Sequence, residues 1–197
     1  MRSRWLAVTL FLLASLVTFS AQAQQQRRQR PFFVGAGLGP AAHVASNLDS
    51  FGGGFARGAR DVRFRTEAEF GWHPSGDDTG FFLAGNFTFM TGNQWWALFP
   101  GIRLGGDIEI WSNSDMAIML TPSGLAGGGV FAVDGLGNAG MMVLQPAFGG
   151  KLVLADGMLQ IWVRPATFDF FLYPNWYGRG FQADVVYSFL AGAYFAF

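Results

Sequence analysis

From residue 62 to residue 73 the chain reads Val-Arg-Phe-Arg-Thr-Glu-Ala-Glu-Phe-Gly-Trp-His. Val62, Phe64, Thr66, Ala68, Phe70 and Trp72 alternate with Arg63, Arg65, Glu67, Glu69, Gly71 and His73. A period of two marks an extended strand, because successive side chains of a strand point to opposite faces of its sheet. One face of this strand is apolar and the other is charged.

The last segment of the chain repeats the period. Phe181, Ala183, Val185, Tyr187, Phe189, Ala191, Ala193, Phe195 and Phe197 fall on one face, and Gln182, Asp184, Val186, Ser188, Leu190, Gly192, Tyr194 and Ala196 on the other. A soluble core cannot take both faces. Elsewhere Ile102, Leu104, Ile108 and Ile110 alternate with Arg103, Asp107 and Glu109, and Leu144, Phe148, Leu152 and Leu154 with Gln145 and Lys151. Leu159, Ile161 and Val163 face away from Gln160 and Arg164; parity breaks before Asp169, where a bulge would restore an inward carboxylate.

Composition places these strands in lipid rather than water. Of 197 residues, 51% are hydrophobic and 13% charged, and the aromatic share of 17% includes 22 Phe. The 13 basic residues balance the 13 acidic ones, so no overall field favours nucleic acid. Cysteine is absent, which excludes disulfides, thiolate metal sites and a lipid-anchored N-terminus.

Arg2 and Arg4, an apolar run from Trp5 to about Phe19, and the small residues Ala21 and Ala23 around Gln22 read as a secretory signal spanning 1–23, cleaved after Ala23. The run is shorter than the roughly 20 residues a spanning helix needs. The next stretch, 24–30, is Gln-Gln-Gln-Arg-Arg-Gln-Arg, a polar basic tail. It reads first as solvated, and second as a contact for an anionic partner such as the cell wall.

Turn signals divide the remainder, 31–197, into eight strands near 31–44, 61–73, 80–91, 96–111, 115–133, 139–154, 158–173 and 180–197. The fold class expected is all-β, an antiparallel up-and-down barrel that crosses a membrane. Compact turns at Pro74–Thr79, Ser112–Ser114 and Ala155–Gly157 alternate with a Gly-rich loop at Ala45–Arg60 and connections near 92–95, 134–138 and 174–179. Membrane barrels have short periplasmic turns and longer outer loops, so both termini are expected in the periplasm. Trp72, Phe81, Phe195 and Phe197 would form one aromatic girdle, and Trp95, Trp96, Tyr173, Trp176, Tyr177 and Phe181 the other.

On these residues the chain resembles the small eight-stranded bacterial outer-membrane barrels of the OmpA, OmpX and OmpW type. The resemblance implies an integral outer-membrane protein in contact with lipid and lipopolysaccharide. Its C-terminal stretch, with Tyr187, Phe189, Phe195 and Phe197, is similar to the signal read by the barrel assembly machinery, although Ala191 and Ala193 stand where bulkier residues are common.

Eight strands enclose a bore just wide enough for side chains to fill. The inward set is Arg63, Arg65, Arg103, Lys151 and Arg164 against Glu67, Glu69, Asp107, Glu109, Asp169 and Asp184, expected to pair as a ladder, with Arg164–Asp184 as one rung. The leading functional reading is a barrel with a filled interior, structural or partner-binding through its outer loops, and needing no cofactor or metal. A narrow conduit for small or hydrophobic solutes is the alternative, with Pro100, Pro122, Pro146 and Pro165 as places where the wall is weakened. A soluble β-rich secreted domain is a further alternative.

Other motifs carry less. Gly135 to Gly140 matches the dinucleotide fingerprint by letter, but the alternating residues after it offer no helix N-terminus to a phosphate. Lipid A deacylases of barrel architecture use a His with a nearby Ser, which directs attention to His73-Pro74-Ser75 and to His43 with Ser46 and Asn47. The first pair falls at the wrong rim and His43 has inward parity, so an enzyme is not expected. Asn86-Phe87-Thr88 is a sequon inside a strand and carries no weight.

Overall fold

The computed structural model describes residues 30–46, 63–93, 95–135, 137–175, 178 and 180–197. The signal segment with Ala21 and Ala23, the tail before Arg30, residues 47–62, and Trp176 and Tyr177 lie outside the described residues; of the Gly-rich loop expected at Ala45–Arg60, Ala45 and Ser46 belong to the first strand and the rest falls in 47–62.

Among the described residues nine strands follow one another: β1 (Phe32–Ser46), β2 (Arg63–Trp72), β3 (Gly80–Gly92), β4 (Trp95–Ser112), β5 (Met116–Leu120), β6 (Ser123–Val133), β7 (Gly137–Leu154), β8 (Leu159–Tyr173) and β9 (Gln182–Ala196). Every pairing is antiparallel, and β9 pairs back onto β1, so the sheet closes on itself. β5 and β6 lie end to end between β4 and β7, which makes a ring of eight strand positions. A closed ring has no edge, so the wall's backbone donors and acceptors find partners in neighbouring strands.

The fifth expected strand is thus split at Thr121-Pro122. Proline has no N–H to give a ladder, and the wall holds at the gap through two other bonds. Gly106 N–H donates to the Pro122 carbonyl (3.1 Å) and Thr121 N–H to the Gly149 carbonyl (2.9 Å). The other strand prolines also sit at lapses in pairing. The β4–β6 ladder skips from Leu98–Val130 to Gly101–Gly127 beside Pro100, and β7–β8 skips from Leu144–Phe170 to Ala147–Thr167 beside Pro146. Across β8–β9 the register shifts between Arg164 and Thr167, around Pro165. That shift is the bulge expected before Asp169, and it returns Asp169 to the interior.

Burial follows the alternation. Outward positions keep large apolar side chains uncovered, among them Phe64, Phe70, Phe87, Ile102, Phe148 and Phe195. Inward positions hold the charged set together with Phe33, Phe82, Phe99, Phe171 and Trp162. At one rim, here the terminal rim, Phe32 N–H donates to the Phe197 carbonyl (3.2 Å) and Phe197 N–H to the Phe32 carbonyl (2.9 Å). The turns at 73–79, 113–115 and 155–158 share that rim.

The aromatic girdles need one correction. Trp72, Phe81, Trp96, Phe181, Phe195 and Phe197 point outward, but Trp95 and Tyr173 are buried inside. Trp95 shares its parity with the inward Ala97 and Phe99, and stacks on Phe131 at 5.1 Å; Tyr173 meets the same Phe131 edge-on at 5.6 Å.

Candidate functional site: a charged bore

The densest polar cluster lies midway along the bore, where β2 presents Arg65, Glu67 and Glu69 on one face because its period is two. Arg65 Nη1 donates to Asp169 Oδ2 (2.5 Å) and Nη2 to Glu67 Oε2 (3.1 Å). Arg103 on β4 donates through Nε to Glu69 Oε1 (2.5 Å) and through Nη2 to Gln145 Oε1 (2.7 Å). Arg164 on β8 donates through Nη2 to Glu69 Oε2 (2.9 Å) and through Nη1 to Glu67. Tyr194 donates to Glu69 and receives a bond from Arg164. Asn86 donates to Glu69 (2.9 Å), Gln145 to Asp169, and Ser188 to Asp169 (3.2 Å).

Three guanidinium groups and three carboxylates are thereby taken out of water together, all at most 4% exposed. Removing one charge from water costs several kcal/mol, so such a cluster is tolerated only when nearly every donor and acceptor has a partner. Arginine suits the task because its planar fork serves two or three acceptors at once. The Arg164 guanidinium also lies over the Trp162 ring, 4.2 Å from its centroid.

Smaller groups flank the cluster. Towards the terminal rim Asp107 Oδ2 accepts from Lys151 Nζ (2.5 Å) and meets His73 Nε2 at 2.9 Å, between the rings of Phe33 and Phe82. The cavity beside Lys151, Trp162 and Tyr194 has a volume of about 10 Å³, room for about one water. Towards the opposite rim Asp184 meets Arg63 at 3.4 Å and His43 Nε2 at 2.6 Å, with Arg63 over the Trp95 ring at 4.4 Å.

Of the interior residues read from the sequence, ten are buried in these three groups: Arg63, Arg65, Glu67, Glu69, Arg103, Asp107, Lys151, Arg164, Asp169 and Asp184. Glu109 stands apart, half-buried at the terminal rim, and accepts from Ser112 Oγ. The expected Arg164–Asp184 rung does not form. Arg164 lies opposite Leu190 while Asp184 lies opposite Phe171, which separates them by roughly 20 Å along the strands. Adjacency of strands in sequence does not set height along the bore. Tyr194 was not singled out as a network member, although its inward parity was readable; Gln145, Asn86 and Ser188 were likewise inward but neutral.

The catalytic pairs do not assemble. His73 Nε2 is held by Asp107, and Ser75 Oγ donates to the Thr79 carbonyl (3.1 Å). His43 is turned onto Asp184. Gly137 onward is strand β7, so no helix follows the glycine motif, and Asn86 of the sequon is buried. Among the described residues no group of three or more His, Asp or Glu has metal-binding geometry. Of the C-terminal residues, Phe189, Phe195 and Phe197 face outward, and Tyr187 donates to the Pro165 carbonyl.

A scan of protein-family models finds no match, and no curated protein matches in sequence. Solved structures do match in shape. Neisserial surface protein A superposes with a TM-score of 0.57 at 12% identity, over 84% of this chain and 97% of that one. Ail, the attachment invasion locus protein of Yersinia pestis, gives 0.47 at 10% identity, over 86% and 100%. The outer membrane protease OmpT of Escherichia coli gives 0.33 at 7% identity, over 88% and 99%. The fold is therefore that of the small bacterial outer-membrane β-barrels.

Proposed function

We propose that this chain is an integral outer-membrane barrel whose bore is filled and ion-paired, so that it conducts nothing and serves as a rigid platform, with its longer loops as the contact surface for a partner. The observation that carries the reading is the central cluster, in which Arg65, Arg103 and Arg164 reach Glu67, Glu69 and Asp169 from different walls of the ring. No cofactor enters the reading, and neither His43 nor His73 is given a catalytic role. The outward apolar belt suits lipid and the acyl chains of lipopolysaccharide.

In this reading the terminal rim faces the periplasm, the first 23 residues are removed on export, and the outward Phe189, Phe195 and Phe197 present the C-terminal strand to the barrel assembly machinery. Two measurements test it. Protein extracted from outer membranes should migrate differently in SDS before and after boiling. In planar bilayers it should give no steady ohmic steps. Regular conductance whose ion selectivity changes on Arg103→Gln or Glu67→Gln would replace the platform with a channel.

A further inference from the structure

The outer surface of the ring is not evenly dressed. Across four neighbouring strands Ala193 of β9, Ala36 of β1 and Ala68 of β2 stand side by side and end on Phe87 of β3. One row further from the terminal rim stand Ala191, Leu38 and Thr66, ending on Phe89. Larger exposed side chains close both ends: Phe195, Val34 and Phe70 form the row nearer the rim, and Phe64 and Phe189 stand beyond Leu38. The small side chains leave a depression of about 450 Å³, with bare backbone of Gly37 and Gly192 in its floor, across the seam where β1 and β9 close the ring.

The position of the depression decides what fills it. β1 starts at the terminal rim with Phe32, and Ala36 and Leu38 stand four and six residues along it. At about 3.3 Å per residue and a tilt of about 40°, they lie roughly 10 to 15 Å from the rim, in the nearer half of an apolar band about 25 Å tall. The bilayer core holds no water, and a void against the wall forfeits its dispersion contacts, so the filler is the hydrocarbon that surrounds the belt. A space of roughly 150 Å³ takes a benzene molecule, so this one takes a chain segment of about a dozen carbons. On a flat wall such a segment is touched from one side; here Phe87 and Phe89 also meet it from the flank.

We propose that this depression seats one acyl chain of a phospholipid across the β1–β9 seam and holds it longer than the lipid around the rest of the belt. The proposal rests on the membrane placement of the reading above, in which the leaflet at the terminal rim is the periplasmic one, built of phospholipid. It also gives a use to Ala191 and Ala193, since the bulkier residues common in such a C-terminal stretch would crowd the seat.

The test uses protein folded into vesicles of phosphatidylethanolamine and phosphatidylglycerol, with a small share of phosphatidylcholine carrying a diazirine near the end of one acyl chain. After irradiation, peptide mass spectrometry should find several-fold more adducts around Phe87 and Phe89 than around Phe148. Phe148 is an exposed ring on the far wall, six residues from the rim end of β7 as Leu38 is from that of β1. The excess should vanish in Ala36→Phe/Ala68→Phe, whose added rings occupy the depression. Equal labelling of the two walls in unsubstituted protein overturns the proposal, and so does an undiminished excess in the filled variant. Should that variant lack the heat shift in SDS, Ala191→Leu, which adds bulk from the other side of the seam, decides in its place. Absence of the heat shift in unsubstituted protein would instead sink the membrane placement, so the two failures are told apart.

Discussion

Arg164 and Glu69 meet across the bore at 2.9 Å, although β1 and β9 stand between their strands around the ring. The pair is therefore not a rung between neighbours but a strut from wall to wall. Truncating Arg164→Met would leave Glu67 and Glu69 with fewer counter-charges in a dry space, at a cost of about 3–5 kcal/mol. Urea unfolding in lipid vesicles, followed by Trp fluorescence, should show that loss. Adding Glu69→Gln should recover part of it through coupling of the two sites. A single-variant cost under about 1 kcal/mol would mean that water, not Arg164, satisfies the glutamates.

Trp162 fits inside only because Gly37 and Gly192 present bare backbone beneath its ring. A methyl group on Gly37 would overlap the ring, so Gly37→Ala should destabilise by about 1–3 kcal/mol. In a chain already carrying Trp162→Leu the same change should cost far less. Equal costs in the two backgrounds, read from unfolding midpoints, would show that the contact is not the cause.

Phe197 closes the ring through its two backbone bonds to Phe32. Deleting it removes both, and should lower stability by about 1–3 kcal/mol and slow the appearance of the heat-modifiable form in a refolding time course. Refolding at an unchanged rate and to an unchanged yield would confine any role of Phe197 to recognition during assembly.

Lys151 is the one lysine of the chain, and it is 5% exposed with its ammonium on Asp107. Amine-directed acylating reagents should leave it unmodified in folded protein and modify it after unfolding, as peptide mass spectrometry would show. Rapid labelling in the folded state would contradict a dry bore around Asp107.

The parity of each strand was readable, because lipid outside and charge inside impose opposite tastes on alternate residues. That is why Arg63 to Glu69 and even the bulge before Asp169 could be placed from the sequence. The partners could not. Who meets Arg164 depends on how the strands are staggered around the ring and on how far a guanidinium reaches across it, neither of which leaves a periodic trace. Trp95 was misplaced for a related reason: a ring near a rim looks the same on either face until its parity is traced through Ala97 and Phe99. Pro122 showed as a doubtful strand residue, and the structure turns that doubt into a real interruption of the wall.

The glycines of β1 bear on the order of events during assembly. Gly35, Gly37 and Gly39 leave the inner side of β1 bare between Phe33 and Ala41, with Tyr194 and Trp162 lying against it. The first and last strands can therefore zip together without forcing any bulky group past those already seated. A ring unpaired at this seam leaves the bore open to water along one side, so the arginines and carboxylates are sealed from solvent on every side only once β1 and β9 have paired.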